Sequence, residues 1–168
     1  ANTCAICGAT INVLQSQKLM DGNYICTKGC RAKGLKYYDY VHSDLDNVKD
    51  HIHQTEVGTK VWQDLMEPLK KTRDKNQKMQ SFHPIYIAPS LGLIAVIEAR
   101  GGLFNTKTYA CVYRLENLQI YKTENMPART SGSDKDKKCV HLGFVHTKGL
   151  NDVYIPVSYT HLRAHETG

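Results

Sequence analysis

Long apolar runs are missing from this chain. No stretch approaches the roughly 20 consecutive apolar residues that a membrane-spanning helix needs, and no signal-peptide pattern stands at the visible start. Catalytic signatures are missing too: there is no glycine-rich phosphate loop, no nucleophile elbow and no His-Glu-x-x-His helix. Asp44, Asp46 and Asp50 are spaced for a helix surface rather than for a shared pocket. These absences set the expectation that the protein is not an enzyme, since a fold alone cannot supply an active site. Acidic residues are in modest deficit, 16 against 22 Lys and Arg, for a formal charge of +6. That balance permits nucleic-acid contact without demanding it, because a real footprint needs the charge gathered on one face.

Cysteine is what the chain has instead. Four of its six cysteines fall in two close pairs, Cys4-Ala-Ile-Cys7-Gly8 and Cys26-Thr-Lys-Gly-Cys30, separated by 18 residues. Each pair can supply two thiolates from one tight turn. The insert lets the second turn fold back onto the first, which is what a tetrahedral zinc ion requires. Gly8 and Gly29 permit the tight backbone. Disulfides or an unligated cluster are the alternatives. A complete sulfur shell leaves no position for water or substrate, so one Zn2+ ion held by Cys4, Cys7, Cys26 and Cys30 would be structural. Such an ion and its four thiolates would lower the net charge to about +4. Within the insert, Ile11, Val13 and Leu14 begin a β-prone run, and Leu19–Ile25 carries an Asp21-Gly22 turn. That hairpin would return Cys26 to the first pair. A module of about thirty residues buries too little apolar surface to fold alone, so the metal would supply most of its folding free energy.

The run Cys-x-x-Cys-Gly, then Lys18-Leu19-x-Asp21-Gly22-x-x-Ile25-Cys26, then Cys30 and a lysine-containing turn resembles an uncharacterised bacterial zinc-ribbon family over roughly the first 35 residues. The resemblance implies a small cytoplasmic protein in which the ribbon precedes a short helix and a β-rich domain. It implies zinc binding and carries no activity with it. The second cysteine pair here encloses three residues, where many members have two. Cysteine pairs at zinc spacing fit a reducing cytoplasm.

The segment Val157-Ser-Tyr-Thr-His-Leu-Arg-Ala-His-Glu-Thr167 resembles a translated sequencing-library adapter. Residues 157–168 are therefore expected to be a non-native tail, with the true C terminus missing. Ala1 in place of methionine leaves the start open in the same way. The remainder divides by pattern into a zinc ribbon at 1–36, a helical connector at 37–81 and an incomplete antiparallel β-rich domain at 82–156, an α+β arrangement.

In the connector, Tyr37, Tyr38 and Tyr40 suit packing against the ribbon better than stacking on bases. Ser43 is the expected N-cap of a helix that places Leu45, Val48 and Ile52 on one face. His51 and His53, two apart, make a poor metal pair and are assigned to a solvated face. A second helical pattern runs through Val57, Val61, Trp62, Leu65 and Leu69, with a break near Pro68 and weakening at Gly58. Lys70, Lys71, Arg73, Lys75 and Lys78 form the densest basic run and the best single candidate for a partner site. A solvated helix end or linker is the plainer account of it.

From Phe82 the period becomes that of strands: Ile85–Ile87, Leu93–Glu98, Thr108–Tyr113, Leu118–Tyr121, Val140–Val145 and Val153–Ile155, with turns at Pro89-Ser90 and Gly101-Gly102. Glu124 to Lys138 reads as an exposed loop. This half resembles small pleckstrin-homology-like segments that accompany such ribbons. Cys111 and Cys139 are expected as buried thiols. His141 and His146 lack an acidic partner at useful spacing and receive no role. Three functions stay open: a zinc-stabilised interaction or regulatory protein with a protein partner, a nucleic-acid-binding ribbon protein, and a membrane-surface adaptor built on the β domain.

Overall fold

The computed structural model describes residues 1–127, 137–147 and 149–157. All but the first residue of the adapter-like segment lies outside the described residues. Four short strands open the chain, β1 (Asn2–Thr3) pairing with β2 (Thr10–Ile11) and β3 (Ser16–Lys18) with β4 (Tyr24–Cys26), both antiparallel. Gly22 supplies the left-handed turn of the β3–β4 hairpin at φ 86°, as its Asp-Gly pair leads one to expect. Val13 and Leu14 do not extend a strand. They sit in a 3-10 turn, Val13–Gln15, capped by the Asn12 side chain.

One long helix, α1 (Leu45–Val61), follows the ribbon. Its N-cap is Asp44, which accepts from the Asn47 N–H at 2.8 Å. Ser43 is one residue too early, and its Oγ instead bonds the Asp39 carbonyl and the Tyr38 hydroxyl. The helix widens into a π turn at Trp62–Met66 and tightens into a 3-10 turn at Glu67–Lys71 that accommodates Pro68. The buried line runs Val48, His51, Thr55, Gly58, Trp62 and Met66, a helical spacing in which three of the six residues are polar or small. Val57 and Leu65, expected on the apolar face, are exposed. His51 is fully buried, not solvated.

Seven further strands follow among the described residues. A four-stranded sheet is ordered β5 (Gln80–Phe82), β6 (Ile85–Ala88), β7 (Leu93–Arg100), β8 (Lys107–Arg114), and a three-stranded sheet holds β9 (Leu118–Asn125), β10 (Lys138–His146) and β11 (Gly149–Pro156), with β10 central. All pairings are antiparallel. Strand alternation on β7 divides two cores. Ile94 and Val96 face Leu142, Phe144, Val153 and Ile155 of the other sheet, while Ala95 and Ile97 face Trp62, Met66 and Met79. Tyr113 stacks on Phe144 at 3.9 Å between the sheets. Cys111 and Cys139 are buried, and neither forms a disulfide. The loop after β9 is shorter than expected, since Glu124 and Asn125 are strand and the Met126 N–H bonds the Lys137 carbonyl; residues 128–136 lie outside the described residues.

Two edges are covered. Thr59 of α1 accepts the Ala110 N–H at 3.0 Å on the outer side of β8, and the Tyr37 carbonyl accepts the Tyr154 N–H of β11 at 2.9 Å. No helix among the described residues is long and apolar enough to cross a membrane.

Candidate metal centre

The two cysteine pairs meet. Sγ of Cys4 lies 3.7 Å from Sγ of Cys30, Sγ of Cys7 lies 3.8 Å from Sγ of Cys26, and all four atoms fall within 4.8 Å of one another. Four sulfurs placed ~2.3 Å from a central zinc stand about 3.8 Å apart, so the observed edges are those of a metal-sized tetrahedron. At these separations none of the four sulfurs is joined in a disulfide, whose S–S bond is about 2.05 Å. The cluster could hold a metal ion, and its four donors would close the coordination shell.

Backbone geometry prepares the sulfurs. The Cys7 and Cys26 N–H groups point at Cys4 Sγ at 3.5 and 3.3 Å, and the Cys30 N–H points at Cys26 Sγ at 3.1 Å. Gly8 at φ 79° closes the first turn. At Gly29 a Cβ would sit 3.0 Å from Cys26 Sγ, a tight approach that would press on that sulfur. Burial works to raise the Cys4 pKa, but the N–H donors of Cys7, Cys26 and Ile6 outweigh it and bring it to about 6. Burial and the neighbouring sulfurs push Cys30 the other way. The Cys4 thiolate is thus favoured at neutral pH, and an arriving ion would displace the Cys30 proton.

The centre is welded to the rest of the molecule. Cys4 and Cys30 pack with Ile11, Leu19, Ile25, Tyr38, Tyr40 and Val48. Tyr38 and Tyr40 are buried, so both serve as packing and neither offers a face to a base. The Arg31 guanidinium lies 5.8 Å from the Tyr40 ring and donates to Gln17 Oε1 at 2.8 Å. From β7, Arg100 donates to the Ala32 and Gly34 carbonyls just past the last cysteine. Glu98 accepts from the Lys36 N–H at 2.8 Å and pairs with Arg100 Nε at 2.6 Å.

The basic run is not uniform. Lys70 Nζ sits 5.1 Å from both the Trp62 and Tyr86 rings, so its charge is partly engaged. Lys71, Arg73, Lys75 and Lys78 are exposed, in a segment ordered by an Asp74 turn that accepts the Asn76 N–H. Sequence reasoning missed the partners of two histidines. His141 Nε2 lies 2.8 Å from Asp152 Oδ1, and its Nδ1 lies 2.8 Å from Glu124 Oε1 off the line of a hydrogen bond. His146 Nδ1 is 3.2 Å from Asp50 Oδ2. Each acid comes from another element, which sequence spacing cannot reveal. His51 was missed likewise; it stacks on Tyr38 at 4.0 Å.

No protein-family model matches this chain, and neither a curated protein nor a solved structure does, so its likeness to a zinc-ribbon family rests on the four clustered sulfurs.

Proposed function

We propose that the protein is a non-catalytic, cytoplasmic interaction module whose N-terminal unit is stabilised by one structural Zn2+ held by Cys4, Cys7, Cys26 and Cys30. The observation that carries the reading is the tetrahedral spacing of four sulfurs, because a Cys4 shell suits zinc and leaves no ligand position for chemistry. Zinc supplies stability to a unit too small to keep itself folded. Division into a ribbon at 1–36, a connector at 37–81 and a β-rich region at 82–156, as parts of one packed unit, belongs to the same proposal.

An acidic protein partner docks on Lys71, Arg73, Lys75 and Lys78, whose charges meet no acid among the described residues. Anisotropy titrations with a labelled glutamate-rich peptide and a labelled DNA duplex test this. Peptide binding lost when these four residues become Gln supports the protein partner. Duplex binding that weakens steeply with salt transfers the surface to nucleic acid. Metal content measured on the same samples tests the zinc assignment separately.

A further inference from the structure

The β7–β8 hairpin ends in Leu103 and Phe104, each 96% exposed. Two adjacent large apolar side chains standing in water are a cost that folding does not explain. The ends of the loop that holds them lie close together. A Cβ at Gly101 would meet the Asn105 carbonyl oxygen, and Thr106 Oγ1 donates to the Gly102 carbonyl at 3.2 Å. Three residues past the tip, Lys107 enters the wall of a cleft of about 590 Å³. Lys28 and Lys33 line the same cleft, Ile52 and Tyr109 contribute apolar surface, and Glu56 is the acid among the lining side chains. Neither Lys28 nor Lys33 meets an acid among the described residues, while Lys107 lies 5.2 Å from the Tyr109 ring. A second exposed apolar pair, Val13 and Leu14, lies near Lys28: the turn that holds them accepts the Thr27 N–H at 3.0 Å, one residue before that lysine.

We propose that this end of the molecule docks on an anionic lipid bilayer, with Leu103 and Phe104 inserted among the acyl chains and Lys28, Lys33 and Lys107 on the headgroups. The tip is convex and two residues wide, too small to make a stable protein interface by itself but suited to insertion below the headgroups. A second copy of the chain would oppose lysine to lysine, which disfavours self-association through this face. Weak apolar and weak electrostatic terms acting together give reversible membrane binding. The inference is separate from the partner reading, since it does not use the 70–78 run.

Co-sedimentation with vesicles of phosphatidylcholine alone and of phosphatidylcholine with phosphatidylserine tests it on the full chain. The protein is expected to pellet with the anionic vesicles and to release as salt rises. Leu103→Ala/Phe104→Ala should weaken binding roughly tenfold or more, and neutralising one lysine should weaken it about fivefold. A Phe104→Trp variant gives a direct reading, because brominated acyl chains quench an inserted indole while Trp62 stays buried. Failure to pellet, equal binding to neutral vesicles, undiminished binding of the double variant or an unquenched Phe104→Trp would each overturn the proposal.

Discussion

The backbone N–H of Leu35 donates to Nε2 of His51 at 3.0 Å, a contact buried on both sides. It fixes the tautomer, leaving Nδ1–H directed at Cys111 Sγ, 3.9 Å away. Cys111 in turn contacts Thr55 Oγ1 at 3.1 Å, and Thr55 donates to the His51 carbonyl at 2.9 Å. A polar ring is therefore satisfied inside the protein, where unpaired groups would be costly. The ring requires a neutral imidazole.

Burial lowers the His51 pKa from 6.5 to about 3. Below about pH 6.5 the unfolded chain binds a proton that the folded protein refuses, so stability is complete above that value and falls as pH drops toward 3. His51→Gln keeps an acceptor for Leu35 without the titration. Between about pH 7 and about pH 5, the native protein should lose about 2 kcal/mol more than His51→Gln in urea titrations. Parallel losses would show that the ring takes up its proton in place.

Gly58→Ala is a helix-favouring exchange that should destabilise. Alanine improves helix propensity by ~1 kcal/mol, but its Cβ would stand 2.4 Å from the Ala110 oxygen and 2.8 Å from the Val112 nitrogen. Backbone cannot yield as a side-chain tip can, so a net loss of about 2 kcal/mol is expected from chemical denaturation. A stabilised variant would mean that α1 does not lie this close to β8.

Glu98→Gln should lower the thermal midpoint by roughly 5 °C, an expected loss of about 2 kcal/mol that leaves Arg100 without its carboxylate. Burial opposes ionisation of Glu98, but Arg100, the Lys36 N–H and the Lys36 charge prevail and hold its pKa below the usual carboxylate value. An unchanged midpoint would show that the pair does not anchor the ribbon.

Cys7→Ser or Cys26→Ser should abolish stoichiometric zinc, read by native mass spectrometry, and dissolve the packing of Tyr38 and Tyr40, read by near-ultraviolet dichroism. Full metal occupancy in either variant would remove the shared shell.

The parts of the fold that repeat a simple period were legible in the residues. Ile94 and Val96 alternate with Ala95 and Ile97, and the cysteine spacing announced its own cluster. The buried face of α1 was not legible, because His51, Thr55 and Gly58 occupy it. Their burial depends on Leu35, Cys111 and Ala110, which lie far away in sequence. Asp152, Glu124 and Asp50 reach their histidines only through pairing and packing. Leu103 and Phe104 sit between two strand patterns, where local sequence does not say which apolar side chains stay in water.

The grip of Arg100 on the Ala32 and Gly34 carbonyls, with Leu35 seated between the two sheets, sets how the protein comes apart. A protease searching for a seam after residue 36 would find backbone already held from β7 on one side and His51 on the other. Cutting there would strip both halves of a shared wall, so neither would survive as the piece it had been within the whole.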